Sequence, residues 1–365
     1  MRISILDKYI LKQMLGPFCF GVAAFSTIFI ASSFLFRVAQ YLTEYGAQPM
    51  SLVKLFFCLL PEVINYTFPM SMLLSSLLAF GNLSGNSEIT AMRSSGISFV
   101  RITMPVIFAG FIISMFSVIW AEKVVPPAKA EYANIVNYEI KHDVKPNTKE
   151  HIVIKNVRGD NLDRLTYAKS FDEKAGTMND ITIEEFEKGE LVRIQRTPEA
   201  KWENGTWIMA AGTITDLSSK DGSSRSMTFS KQVLPIDTEP KEVGLQQKSR
   251  EEMTIGELKE YIGILEQEKM PIDKYIMEMY ARFTIPLSSL FFAMIGAPLG
   301  VQSQRTGSSM GLGISVIIIF IYYSFMTFMT GLGNGGAIPP LLAALAPNVV
   351  CVLVGFWLLY RKDHL

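Results

Sequence analysis

With 34 basic and 34 acidic side chains among 365 residues, the chain is neutral at pH 7, so net charge gives no reason to expect a nucleic-acid partner. Half of the residues, 49%, are hydrophobic, and 51 of the 68 charges fall between Ala121 and Lys274, which leaves 17 for the other 211 residues. That distribution excludes an ordinary soluble protein and describes a slightly acidic soluble domain set inside a membrane protein.

In chain order, the first element is "ILDKYILKQM", which places Ile5, Leu6, Tyr9 and Ile10 on one helical face and Lys8 and Lys12 on another. Two readings are open, a helix lying in the membrane interface and a plain extension of the first span. The apolar run Met14 to Phe36 exceeds the roughly 7–15 residues of a signal-peptide core and has no convincing small-residue cleavage site, so it reads as a retained anchor. A second run covers Leu55 to Phe80. Between it and the third run, Ile102 to Ala121, stands the polar stretch "FGNLSGNSEITAMRSSGIS". It predicts a short helix within 86–96: Asn86 or Ser87 caps it, Glu88 sits in the first turn, Arg93 near the end, and Gly96 supplies a left-handed stop. A helix of about two turns is marginal alone because nucleation is costly. It therefore packs against its own bundle or against a separate protein.

From Ala121 the composition changes. "EKVVPPAKAEYANIVNYEI" predicts a helical connection after Pro126 and Pro127. The segments "HIVIKNV", "LTYAKSF", "DITIEEFEKGELVRIQR" and "TWIMAAGTITDL" are rich in β-formers and separated by turn chemistry such as "EKGE", "ENGT" and "SKDGSS". They predict an antiparallel β domain, a sandwich or open jelly roll. In "MTIGELKEYIGILEQEK", Thr254 and Glu257 have capping-box spacing. Three more apolar runs follow, Phe283 to Val301, Met310 to Leu332 and Ile338 to Tyr360; the last two are joined by "GLGNGG", either a flexible joint or a tight turn. Each of the six runs meets the roughly 20 residues that crossing a hydrocarbon core requires. The predicted fold is a membrane α-helical bundle of six spans with an inserted antiparallel β, jelly-roll-like domain: 1–120, 121–270 and 271–365.

Orientation follows from basic residues near the spans. Arg2, Lys8, Lys12, Arg93, Arg101, Arg305, Arg361 and Lys362 share one side if the spans alternate, against Arg37 and Lys54 on the other. Both termini are thus expected in the cytoplasm and the β domain outside. Cys19, Cys58 and Cys351 all lie in apolar runs, so the outer domain has no disulfide framework. No G-x-x-x-x-G-K-[ST], H-E-x-x-H or G-x-S-x-G occurs, and His142, His151 and His364 form no recognisable ligand set. No metal or cofactor is expected, and any work the protein does draws its energy from another chain.

Several stretches in this order resemble the LptF/LptG family, the permeases of the lipopolysaccharide export ABC transporter. They are "SEITAMRSSGIS", the Pro-Glu of "LLPEV" followed by "FPM", "EMYARFTIPLSSLFFAMIGAPLG", "RTGSSMG" and "IPPLLAALAPN". The resemblance covers essentially the whole chain. It implies an inner-membrane, non-catalytic permease that pairs with a sister permease or a second copy and forms a laterally open cavity. Lipopolysaccharide enters this cavity from the outer leaflet, a cytoplasmic ATPase dimer supplies the energy, and a periplasmic bridge receives the lipid. It also implies that "SEITAMRSSGIS" is the coupling helix docking in the ATPase, with Glu88, Ile89, Met92 and Arg93 as its contact residues.

For a lipid with a phosphorylated head, the resemblance points to Arg37 and Arg282 as basic rim positions. Each also suits an interface-anchoring arginine. Where the family often has a second basic residue one turn earlier, this chain has Phe34. Tyr322 and Phe325, with Tyr323, Phe328 and Met329, are candidates for lining acyl chains, and ordinary packing is their alternative. Glu62 is the only acid or base inside an apolar run. A charge there is costly, and the favoured role is structural, paired with Lys54 or Arg282, ahead of a proton relay. Rival readings are a membrane-anchored receptor or scaffold, an intramembrane hydrolase, which requires a second ionisable group at membrane depth, and an exporter of another lipid.

Overall fold

The structure of the chain, a computed structural model, describes residues 4–141, 149–158, 161–173, 175–187, 190–217, 225–234, 238–246, 248–267, 270–301 and 309–364. His142, Arg305 and parts of the "EKGE", "SKDGSS" and "RTGSSMG" stretches lie outside these residues. The chain divides into two compact units, one of 1–141, 250–258 and 271–365, the other of 142–249 and 259–270.

The first unit is helical. In order it contains α1 (Ile5–Tyr45), α2 (Pro49–Gly85), the short α3 (Glu88–Ser94), α4 (Phe99–Lys123), α5 (Val125–Asn134) and a π-helical turn, Ile135–Ile140. After the strands it contains the first turn of α7 (Ile255–Gln267), then α8 (Asp273–Gly300), α9 (Ser309–Asn334) and α10 (Pro340–His364); α6 (Pro240–Gln246) and the rest of α7 belong to the second unit. Six of these helices are long and apolar enough to cross a membrane, and each covers one of the six apolar runs to within two residues.

The first helix settles the two readings of its start. It runs unbroken for 41 residues, about 60 Å at 1.5 Å per residue, so "ILDKYILKQM" is an extension of the span and no separate interfacial helix forms. Its beginning is closed by a capping box in which the Ser4 hydroxyl accepts the Asp7 N–H while the Asp7 carboxylate accepts the Ser4 N–H. Its end is closed by Gly46 at φ 62°.

α2 and α8 form the middle of the bundle. In their most apolar stretches 83% and 67% of residues are buried, against 18% for α1 and 11% for α9. Backbone meets backbone at Gly300, where a Cβ would stand 2.7 Å from the Leu77 carbonyl oxygen and 2.8 Å from the Phe80 Cβ. At Gly296 it would meet Ser76 Cβ at 2.7 Å. Buried serines add little bulk and turn their hydroxyls onto their own helix: Ser71 to the Thr67 carbonyl, Ser76 to Met72, Ser288 to Ile285. Asn348 of α10 joins three helices, accepting from the Tyr322 hydroxyl at 2.8 Å and donating to the Thr284 carbonyl at 2.7 Å.

The second unit is built on one antiparallel sheet. Its strands are β1 (Lys149–Arg158), β2 (Asn161–Asp172), β3 (Thr177–Glu187), β4 (Glu190–Glu203), β5 (Thr206–Met209), β6 (Gly212–Asp216), β7 (Arg225–Phe229) and β8 (Gln232–Leu234). They pair in the order β1-β2-β3-β4-β5-β8, with β6 on β4 and β7 on β6. Thus the β domain takes the form of a meander that forks at β4. The fork lies at Pro198: Arg193–Arg196 pair with β6 and Ala200–Glu203 with β5. Proline has no N–H to give a ladder, and opposite it the β3 pairing skips Asp180, which sits at φ 49°. The "ENGT" turn joins β4 to β5 with Asn204 and Gly205 both at positive φ, as a tight primed hairpin requires. One core, including Ile154, Phe171, Ile181, Ile183, Trp207 and Leu234, covers the sheet's apolar face.

Replacing Gly300 by Leu forces apart two backbones, an overpacking worth about 1–3 kcal/mol. The unfolding temperature in detergent is expected to fall by several degrees. The same measurement on Gly16→Ala, whose new Cβ meets nothing within 4 Å, is expected to show no change.

Candidate functional site

One end of the helical unit gathers the beginning of α1, all of α3, the start of α4 and the last turn of α10. α2 ends at Gly85, Ser87 turns the chain at φ 60°, and α3 runs for seven residues before Gly96 stops it at φ 84°. The left-handed stop is where the sequence places it. Ser87 stands at the N-cap position, as expected, but its side chain makes no capping bond to α3, and the Asn86 amide donates to Glu88 Oε1 at 3.2 Å. What holds so short a helix is packing. Ile89 is 3% exposed and joins a cluster containing Ile10, Met14, Leu83, Phe99 and Ile102, with Met92 and Ile97 against its edge.

This divides the four predicted coupling residues. Glu88 lies at the rim, where its Oε2 accepts from the Tyr9 hydroxyl at 2.8 Å. Arg93 is half-buried. Ile89 and Met92, three residues apart, form the inward stripe and are spent on the bundle. The outward face consists of Thr90, Ala91 and Ser94, all exposed and none noticed in the sequence. The i, i+3 spacing of Ile89 and Met92 is the signal that identifies the inner face. Tyr9 had no such signal, because its partner is 79 residues away.

The opposite end carries the other candidates. Arg37 is exposed on α1 and donates to the Tyr132 hydroxyl of α5 at 3.2 Å. Glu62 pairs with Lys129 at 2.7 Å. This corrects the expected pairing with Lys54 or Arg282: α5, begun by its prolines, brings Lys129 to α2, while Lys54 is held at 2.8 Å by Glu139. Arg282 is only 7% exposed. Its guanidinium lies 3.4 Å from Glu122 and 3.8 Å from Glu278, and it donates to the Arg250 carbonyl at 3.2 Å. Both Glu122 oxygens also accept the Ile255 N–H, at 3.0 and 3.1 Å, at the start of α7. The Thr254–Glu257 capping box forms there as well. In the same segment, burial pushes the Glu251 carboxyl upward, but the hydrogen bond from Arg250 at 3.0 Å, a backbone hydrogen bond and the charges of Arg250 and Lys129 together hold the group below the usual carboxylate range.

The aromatic group on α9 splits likewise. Tyr322 is 6% exposed, bonded to Asn348 and set edge-on against Phe292 at 4.8 Å. Tyr323 donates to the Tyr66 carbonyl. Phe325 and Phe328 stay on the exposed face. Packing claims the two tyrosines and leaves the two phenylalanines free.

The family model described as "Lipopolysaccharide export system permease LptF/LptG" matches residues 8–361. The chain is similar to the Lipopolysaccharide export system permease protein LptG of Escherichia coli strain K12, with 23% identity over 313 residues and 83% of each chain covered. It is similar also to the protein of that name from Haemophilus influenzae strain KW20 Rd, with 24% identity over 379 residues and 99% of each chain covered. A match of that extent, on six apolar helices with an antiparallel β unit inserted among them, establishes that the chain belongs to the LptF/LptG family of lipopolysaccharide export system permeases.

Proposed function

We propose that this chain is a permease subunit of an ABC-type exporter that takes lipopolysaccharide from the outer leaflet of the inner membrane and passes it to a periplasmic bridge, with a separate cytoplasmic ATPase supplying the energy. The observation that carries this reading is the construction of α3. Its apolar side is consumed by its own bundle, and its outward side, Thr90, Ala91 and Ser94, carries only small side chains. Small side chains let a partner approach the helix backbone closely, which suits docking in a groove. The end that holds α3 also holds Lys8, Lys12, Arg93, Arg101, Arg361 and Lys362, which supports placing it in the cytoplasm and the β unit in the periplasm.

The lipid route is expected along the exposed faces. α1 and α9 are the least buried helices of the bundle, so they are the surfaces on which a sister permease, or a second copy, closes a cavity. Arg37 is an exposed cation at the outer rim, bonded only to the neutral Tyr132 hydroxyl among the contacts described, and we assign it to headgroup phosphate. Phe325 is assigned to the acyl chains. Arg282, enclosed by two carboxylates, and Tyr322, bonded to Asn348, serve this route by holding α8 and α9 in place. Glu62, paired with Lys129, is structural.

Purifying the chain in mild detergent and identifying its companions by mass spectrometry tests the reading. A P-loop ATPase together with lipid A species is the expected result. A preparation with neither overturns it in favour of a receptor or scaffold. Within the complex, Ala91→Arg and Glu88→Lys are expected to lower the amount of ATPase recovered by about tenfold, at an unchanged unfolding temperature, as loss of an interface contact does. Arg37→Glu is expected to reduce photo-crosslinking to lipopolysaccharide severalfold and leave ATPase recovery unchanged, since it removes a charge-assisted contact at the far end of the bundle.

A further inference from the structure

The foot of α4 is tied to more elements than the docking of α3 requires. Arg101, its third residue, reaches across to α1: Nη1 lies 2.7 Å from Asp7 Oδ1, while Nη2 lies 3.2 Å from Oδ2 and donates to the Ser4 hydroxyl at 3.2 Å. Asp7 is 6% exposed. Its Oδ2 also accepts the Ser4 N–H at 2.9 Å, so a single carboxylate caps α1 and grips α4. From the other side, Asp363 of α10 accepts the Val100 N–H at 3.3 Å, and Lys362 donates to the Val301 carbonyl just beyond α8.

Along α1, the turn after Asp7 touches α3. Tyr9 bonds Glu88, and Ile10 and Met14 share a cluster with Ile89 and Phe99. Asp7 and Tyr9 thereby hold the elements on either side of the Ser95–Ser98 link, α4 and α3. This matters because α1 turns most of its apolar stretch outward, with 18% of it buried, and above its foot packs on α2 mainly through apolar contacts such as Phe18 with Phe68 and Phe34 with Leu55. Apolar contacts let a helix slide. A two-pronged guanidinium–carboxylate pair fixes distance and direction together.

We propose that Asp7 and Arg101 are positioning residues that make the feet of α1 and α4 follow α3 as one body, so that a displacement imposed on α3 reaches the exposed first helix. This rests on the reading of α3 as the ATPase docking element. The pair touches neither lipid nor nucleotide; it acts by keeping two helices in step.

The test uses the purified complex in proteoliposomes containing lipopolysaccharide, measuring ATPase recovery, ATP hydrolysis and lipid release to an acceptor. Asp7→Asn and Arg101→Gln are expected to keep the ATPase and its hydrolysis but to lose about tenfold in lipid release, the scale of a typical coupling free energy. The exchanged pair, Asp7→Arg with Arg101→Asp, is expected to recover most of it. A spin-label distance between Lys12 and Val100 should be narrow in the wild type and in the exchanged pair and broad in the single variants. Release at the wild-type rate in both single variants, or an exchanged pair no better than they are, overturns the inference while docking stands. Single variants that lose the ATPase altogether overturn it in favour of a purely structural role. A wild-type preparation without ATPase overturns the docking reading, and this inference with it.

Discussion

Gly296 and Gly300 bring the backbone of α8 against that of α2, and the remaining helices are arranged around that contact. In hydrocarbon there is no gain from hiding apolar side chains from lipid tails that are equally apolar, so helices associate through close packing and polar bonds. Glycine permits the first, and Asn348, bridging α8, α9 and α10, supplies the second. A pair of helices so closely joined moves as a unit. α1 lies along α2, with Gly21 set against Ser71, and like α9 it turns most of its apolar stretch outward.

The same medium confines charge to the two ends. At one end Asp7 and Arg101 tie α1 to α4. At the other, Glu122 and Arg282 tie α4 to α8, and Glu62 and Lys129 tie α2 to α5. Ion pairs of this kind add little net stability, because removing charges from water costs about what their attraction returns. Stranding Asp7 or Arg282 is a different matter, since those two groups are nearly buried and would be left uncompensated. Their value here is geometric. α4 carries a directed charge contact at each end, Arg101 at its foot and Glu122 at its top, so it is built as a rod between the two networks.

Much of this was legible in the residues. Six apolar runs became six long helices, the Thr254–Glu257 box formed, "ENGT" made its hairpin, and Gly96 stopped α3. Each depends on neighbours within a few positions, so the sequence contains both partners. Other features were illegible for the complementary reason. Glu62 found Lys129 because of the angle at which α5 leaves its prolines, and Arg282 went inward because Glu122 and the Arg250 carbonyl were there to meet it. Among the predicted coupling residues, Ile89 and Met92 turned inward, because a two-turn helix has no stability of its own and takes it from the nearest apolar surface.

By itself, then, the sequence determined that there are six spans, that a β domain interrupts them, where the short helix starts and stops, and to which family the chain belongs. These are local or compositional properties, set by the length of an apolar run, the spacing of a cap or the order of motifs. Tertiary structure alone decided which face of α3 remains free, which arginine stays open to solvent, and that Asp7 meets Arg101 across 94 residues. Those depend on the directions in which side chains leave packed helices, and a direction in space exists only once the partners are in place.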